Sequence, residues 1–340
     1  MPIPSYCDSF MLYDTTVLTT KYLYITQQIG IATTGGRNNG RCLSLNTGTA
    51  SSVGNPVVAG NNSINMAIRF KSLELAPKIL MTLRNIANSV HHLTVLYTST
   101  GRIEFRRGDS TGTLLATSSS VLNANVTHSI SLKYTVNSTT GSFSANINGT
   151  ADSGLTASGV NTQNGASADI TAYYIGSSTQ SPGAGTLLVN DFVVRDGSFP
   201  LLGDVYVDAK VVTGPGTYQQ FTPSTGTDHA VLLDEIPPNT TDYVSSSTTG
   251  HRETNTISPL TGTPTILFVQ AANYMYKSDA GTAIARSLIR SGATNAFGDP
   301  TTLFGSPTYY TTSFDTDPNT GVAWTVAAAN AVEVGIENAT

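Results

Sequence analysis

Apolar and polar residues take turns along most of this chain, and the period is two. Ile64, Met66, Ile68 and Phe70 fall on one side of a segment whose other side carries Asn65, Arg69 and Lys71. Leu93, Val95 and Tyr97 repeat the pattern, and Ile103 and Phe105 resume it beyond Ser99-Thr100-Gly101. The longest case runs Ile130, Leu132, Tyr134 and Val136, breaks at Asn137-Ser138-Thr139-Thr140-Gly141, and returns with Phe143, Ala145 and Ile147. Side chains of a strand alternate between faces, so each run predicts a half-buried antiparallel strand and each break a hairpin. Asn148-Gly149 predicts a tight turn, because both central positions of a type I′ turn need positive φ. Further strands are expected over 170–175 and 187–195. Helical periodicity is nearly absent, with the Ala-rich stretch 326–331 after Trp324 the best candidate.

Many short strands separated by turn signals define an all-β protein of sandwich or jelly-roll type. The turn cluster Asp196-Gly197-Ser198-Phe199-Pro200 marks a boundary, giving two domains, 1–200 and 201–340. The second is expected to open on a strand at Asp204-Val205-Tyr206-Val207 that continues through Ala209 and Val211. It then carries strands within 266–276 and 284–290, and a last one with Val332, Val334 and Ile336 inward. No short repeat is present, which argues against solenoids and propellers.

Composition narrows the functional classes. Charged residues are 11% of the 340, against about 25% in an average soluble protein. Thr, Ser, Gly and Asn fill the difference, so the surface is one of hydroxyls and amides. Apolar residues at 39%, arranged in alternating runs, separate this chain from a disordered one. Net charge is −5 and the 17 basic residues are scattered, the densest group being Arg102, Arg106 and Arg107. A nucleic-acid footprint needs clustered charge, so no nucleic-acid partner is expected. The longest apolar runs, such as 266–269, are far short of a membrane span. Met1-Pro2-Ile3-Pro4-Ser5-Tyr6 lacks the basic and apolar regions of a signal peptide, so synthesis and assembly in the cytoplasm are expected. Sequons at Asn61, Asn125, Asn137, Asn148 and Asn239 then have no glycan meaning. Cys7 and Cys42 read as two buried thiols, with later oxidation to a disulfide left open.

Two resemblances add to this. The region 1–200 resembles a concanavalin A-like (laminin-G-type) sandwich. Asp8-Ser9-Phe10, the stretch Gly36-Arg37-Asn38-Asn39-Gly40-Arg41-Cys42-Leu43-Ser44-Leu45, the strand Asn65-Met66-Ala67-Ile68-Arg69-Phe70 and the hairpin 128–149 follow that fold's order. The junction, Val189-Asn190-Asp191-Phe192-Val193-Val194-Arg195-Asp196-Gly197-Ser198 then Leu202-Gly203-Asp204-Val205-Tyr206-Val207, resembles a segment of tailed-bacteriophage structural proteins. The likeness continues through 221–226, 234–239, 241–247 and 316–325. It implies a virion component, in capsid decoration or in a tail or fibre, and implies no reaction.

The constellations that carry chemistry elsewhere are weak here. Concanavalin-like glycosidases align acid and nucleophile about 5–5.5 Å apart on one strand. Their Glu-x-Asp-x-x-Glu pattern is missing. Glu333-Val334-Gly335-Ile336-Glu337 puts two carboxylates on one face, and reads as the solvated outer face of the last strand. Asp315-x-Asp317-x-Asn319 imitates a calcium loop, but Thr320 and Val326 replace the required sixth-position Gly and twelfth-position Glu. It reads instead as a turn capping the segment after it. His91 and His92 are adjacent on a strand and cannot easily share a metal, and His128 shows no matching ligand spacing. No catalytic, cofactor or metal residue is therefore expected, and no cofactor. Tyrosines number 15, and in Tyr173-Tyr174, Tyr274/Tyr276 and Tyr309-Tyr310 one member of each should face outward. The chain is expected to be a non-enzymatic virion component that contacts other virion proteins and copies of itself. The alternative is an adhesin whose lectin-like first domain binds host glycans.

Overall fold

The computed structural model describes residues 3–26, 28–48, 50–57, 60–177 and 183–340. Met1 and Pro2, which begin the N-terminal stretch, lie outside them. The chain is all-β and divides into two compact units, Met1–Val207 and Asp208–Thr340. The division falls seven residues beyond 200 because 201–207 stays on the first unit.

That unit is a sandwich of two antiparallel sheets. One sheet runs Thr150–Ala151, Gly141–Ile147, His128–Thr135, Ser63–Ser72, Gly185–Asp196, Cys42–Thr47 and Ile29–Ala32 in spatial order, with Tyr6–Asp8 and Ala157–Val160 attached. The other runs Thr113–Thr117, Ile103–Arg107, Val90–Tyr97, Lys78–Asn85, Ala172–Ser177, Ser51–Pro56 and Tyr24–Ile25. The long hairpin forms as the alternation demands, with Ile130 opposite Ile147, Leu132 opposite Ala145 and Tyr134 opposite Phe143. Asn148 and Gly149 take φ of 51° and 81°, and Ile147 pairs with Thr150 across them. Inward rings lock the two sheets together: Tyr173 lies 5.4 Å from Phe192, and Phe105 5.5 Å from Phe143. Aromatic pairs at such separations add to the large apolar area they bury.

The expected strand at 204–207 does not form. The segment 199–207 is instead an extended strap across the outer face of the first sheet. Its carbonyls are taken by side chains of that face. Asn65 and Lys133 donate to Phe199 O (2.9 and 3.1 Å), and Ser131 and Asn146 to Leu202 O. Arg69 donates to Val205 O (3.1 Å) and Arg37 to Val207 O (2.6 Å). Buried polar groups need partners, and here a polar sheet face and an unpaired backbone satisfy each other. One short helix, Thr15–Lys21, was not visible in the apolar pattern; Asp14 caps it by accepting from Thr16 N.

The second unit is a smaller, sandwich-like layering of strands. Its main sheet runs Val212–Gln219, Arg252–Ile257, Glu333–Asn338, Ile284–Ser291 and Thr294–Phe297, with Thr301–Thr302 beside the fourth strand. The opposing layer is cut down to the ribbon Val269–Met275/Thr308–Phe314. Between them lie Ala271, Ile289, Trp324, Ala329 and Val332, with Val334 packed against the cluster as expected. Ile336 joins a second small cluster of Met275, Ala285 and Leu303. Val205 to Val211 contribute no strand, and the first one starts at Val212. The helix Val326–Ala331 forms where the Ala-rich stretch predicts it. Its cap is Thr325, whose hydroxyl accepts from Ala328 N, and not the upstream Asp-Pro-Asn-Thr-Gly turn.

Candidate functional site

The two carboxylates of the last strand do share a face, but on it they are bonded to neighbouring strands rather than left to solvent. Glu337 accepts from Arg252 Nε at 2.6 Å and from Arg286 Nη2 at 2.6 Å, and its side chain is 6% exposed. Glu333 accepts from Thr217 N, Thr217 Oγ1 and Thr254 Oγ1, each at 2.7 Å. Burial would raise the Glu333 carboxyl, but these bonds hold it below the ordinary glutamate value. An acid–nucleophile pair needs one carboxyl kept protonated. Both of these carboxylates are taken up by donors of their own sheet.

Other candidates resolve into internal contacts. Asp317 accepts from Asn319 N and Thr320 Oγ1, an Asx-type anchor for its turn. His92 is bonded to Asp169 O and Asn164 N. His91 sits near Arg84, and burial followed by that cation lowers its pKa to about 4. Cys7 and Cys42 are not joined in a disulfide. Burial pushes their thiols up to about 12 and about 11, so neither is a thiolate nucleophile at neutral pH. Arg102 donates to Ser118 O and Ser119 O, Arg106 pairs with Glu104 at 2.7 Å, and Arg107 donates to Asn161 O. An open depression of about 510 Å³ lies along the edge strand Ile29–Ala32, lined by 28–32, Ser44 and Asn46. No acid, base or thiol lines it.

Register explains where the tyrosines go. Across the second sheet of the first unit, Tyr24, Gly54, Tyr174, Thr82, Thr94, Arg106 and Leu114 stand in one transverse row. Tyr173 points inward to Phe192, so this row is the outer face. A Cβ on Gly54 would come within 2.7 Å of the Tyr174 ring, so the glycine makes room for Tyr24 and Tyr174 to meet at 5.6 Å. The middle of the row is nevertheless closed, although Leu114 at its end is 48% exposed. Tyr174 is 5% exposed and Thr82 1%, with the Arg84 guanidinium 5.7 Å from the Tyr174 ring. Outward on a sheet is not the same as accessible.

The open aromatic face lies in the second unit, and no sequence motif marks it. On the outer side of its main sheet, Arg252, Glu337 and Arg286 stand opposite one another on neighbouring strands, as do Glu333 and Arg290. Two half-exposed rings flank them. Arg252 lies 5.3 Å from the centres of both Tyr218 and Phe297, Arg290 5.6 Å from Tyr218, and Arg286 3.9 Å from Phe297. Asn295 Nδ2 donates to the Tyr218 hydroxyl at 2.9 Å. The inner side of the same sheet holds Glu253, buried and raised in pKa by that burial, with His229 Nδ1 and Gln219 Nε2 at 2.9 and 2.8 Å. That pair ties 219–230 to the sheet.

No family model matches the chain, and no curated protein matches it. Among solved structures, Trypanosoma rangeli sialidase in complex with sialic acid is 16% identical with a TM-score of 0.34, covering 49% of this chain and 27% of the sialidase. A mutant of the GH43 protein BlXynB from Bacillus licheniformis is 11% identical with a TM-score of 0.36, covering 56% and 39%. The CBM40 of Ruminococcus gnavus IT-sialidase, bound to α2,3-sialyllactose, is 14% identical with a TM-score of 0.30, covering 46% and 95%. These overlaps are partial and distant, and they bear on no activity of this chain. Among the described residues no helix is long and apolar enough to cross a membrane.

Proposed function

We propose that this chain is a non-enzymatic structural component of a tailed-phage particle, in capsid decoration or in the tail, working through its surfaces. The observation that carries the non-enzymatic part is the state of the carboxylates. Glu333, Glu337, Asp317 and Glu253 are each bound to the fold's own donors. The virion part is supported by the junction likeness, whose second stretch, 202–207, lies in the docked strap. Large apolar side chains left outside, such as Leu23 and Leu75 in one unit and Val231, Phe304 and Val322 in the other, offer contacts to further virion proteins or to copies of the chain. Mass spectrometry of purified particles tests this. Peptides at a constant ratio to the major capsid protein are expected, and particles devoid of the chain contradict it.

A second function, glycan contact, is favoured by the half-exposed aromatic and guanidinium layer around Tyr218. Aromatic rings with polar edges suit sugar faces. Burial of Tyr174 leaves the paired tyrosines of the first unit less accessible than Tyr218, which favours the second unit for this contact. Retention of the full-length protein on immobilised host surface polysaccharide is the expected result, and its absence contradicts glycan contact.

A further inference from the structure

The second unit is acidic almost throughout. It holds twelve Asp and Glu against five Lys and Arg: Lys210, Arg252, Lys277, Arg286 and Arg290. Three of those five cations gather on one sheet face, over Tyr218 and Phe297. A merely solvated face of an acidic unit has no reason to concentrate its arginines.

Their partners are unequal. Arg252 and Arg286 share one carboxylate, that of Glu337. Glu333, the other acid on the face, is held by the hydroxyls of Thr217 and Thr254 and the Thr217 amide. Among the described residues, Arg290 hydrogen-bonds only to uncharged oxygens, Ala293 O at 3.1 Å and Asn295 Oδ1 at 3.2 Å, both through Nη1, although Glu333 stands opposite it and feels its charge. Its guanidinium carbon lies 5.6 Å from the centre of the Tyr218 ring, and both side chains are partly exposed. A guanidinium presents a planar fork matched to a carboxylate, and a tyrosine ring presents a flat apolar face with a polar rim.

We propose that this face, centred on Tyr218 and Arg290, binds a saccharide carrying an isolated carboxylate, the sugar ring against Tyr218 and the carboxylate on Arg290. The proposal rests on glycan contact as the chain's second function, and adds the class of sugar and the place. An isolated carboxylate follows from the surroundings: twelve acids in the unit repel a densely charged polymer, whereas one anion among neutral sugars meets only the local surplus of arginine. The same balance disfavours a nucleic acid strand, which carries a charge on every nucleotide.

The test is calorimetric titration of the full-length protein with three probes: a xylo-oligosaccharide bearing one glucuronic acid, the same oligosaccharide without it, and oligothymidylate. Binding of the first, at least about tenfold tighter than the second and weakening with salt, is expected. Tyr218→Ala and Arg290→Gln are each expected to weaken it by about tenfold, and Arg290→Lys by less, since the charge stays and the fork is lost. Arg106→Gln, in the first unit, serves as the control and leaves binding unchanged. Circular dichroism confirms that each variant is folded, and both side chains are partly exposed. Equal binding of the acidic and neutral probes, or tighter binding of oligothymidylate, overturns the proposal. Sugar binding indifferent to Tyr218→Ala and Arg290→Gln overturns this site and leaves glycan contact standing. Binding of neither sugar, while the chain is still retained on host polysaccharide, overturns the acidic-sugar assignment alone; failure of both removes the glycan function with it.

Discussion

The two units solve one problem with different materials. The first carries twelve Lys and Arg against ten Asp and Glu, and a wide apolar interior in which Phe10, Tyr13, Phe70, Phe105 and Phe192 are all but fully buried. The second carries five against twelve, and its main cluster is Ala271, Ile289, Trp324, Ala329 and Val332. Small domains have proportionately less interior to bury. Where apolar contact is scarce, the second unit braces its sheet with Glu333, Glu337 and Glu253 networks on both faces. In the first unit buried polar side chains have another task, which is to hold the strap 199–207. The difference teaches that buried carboxylates brace the sheet in the second unit, and that its outer face stays partly open beside them.

The comparison can be broken most sharply at the cores. Trp324→Ala removes the largest member of the second cluster and its 2.8 Å bond to Phe314 O, and should cost about 3–5 kcal/mol. Phe192→Ala should cost a similar amount locally. Scanning calorimetry with limited proteolysis should then find the second unit cleavable in the former and the first unit still protected in the latter. Equal loss of protection would show that the two interiors are not so different. Next, Glu337→Gln leaves Arg252 and Arg286 facing each other and should cost about 2 kcal/mol. Glu104→Gln, which removes a partly exposed partner of Arg106, should cost less than about 1 kcal/mol by urea unfolding.

Asp191 gives a pH dependence confined to the first unit. Burial, opposed by the Val207 amide and by Arg37 and Arg69, raises its carboxyl to about 6. A carboxyl raised on folding binds its proton more tightly in the native state, so stability falls as pH rises from about 4 to about 6. Wild type should therefore lose about 1–2 kcal/mol relative to Asp191→Asn across that interval. A gap that does not move with pH would contradict the assignment. A comparably small effect is expected from Ser131→Ala, which removes one hydroxyl from the strap carbonyl of Leu202. About 1 kcal/mol is anticipated, with faster amide exchange at 203–207 as the sharper readout.

Much of the fold was legible because alternation and turn chemistry are local. The runs at 64–70 and 130–147, the Asn148-Gly149 turn and the helix Val326–Ala331 needed no knowledge of their neighbours. The strap misled for a physical reason: Val205 and Val207 alternate like a strand, but their backbone bonds to side chains, which no periodicity reports. The row from Tyr24 to Leu114 and the gathering of Arg252, Arg286 and Arg290 around Tyr218 depend on register between strands far apart in the chain. Glu333 and Glu337 were visible as a pair on one face, yet their arginine and threonine partners lie on other strands, so a closed network looked like a solvated edge.

The central claim, that this chain acts by contact within a particle, is tested most directly by electron microscopy of purified virions labelled with an antibody to the full-length protein. Label at one repeated position on every particle is the predicted result. Particles without label, from a lysate in which the same antibody detects the free protein, would contradict the account.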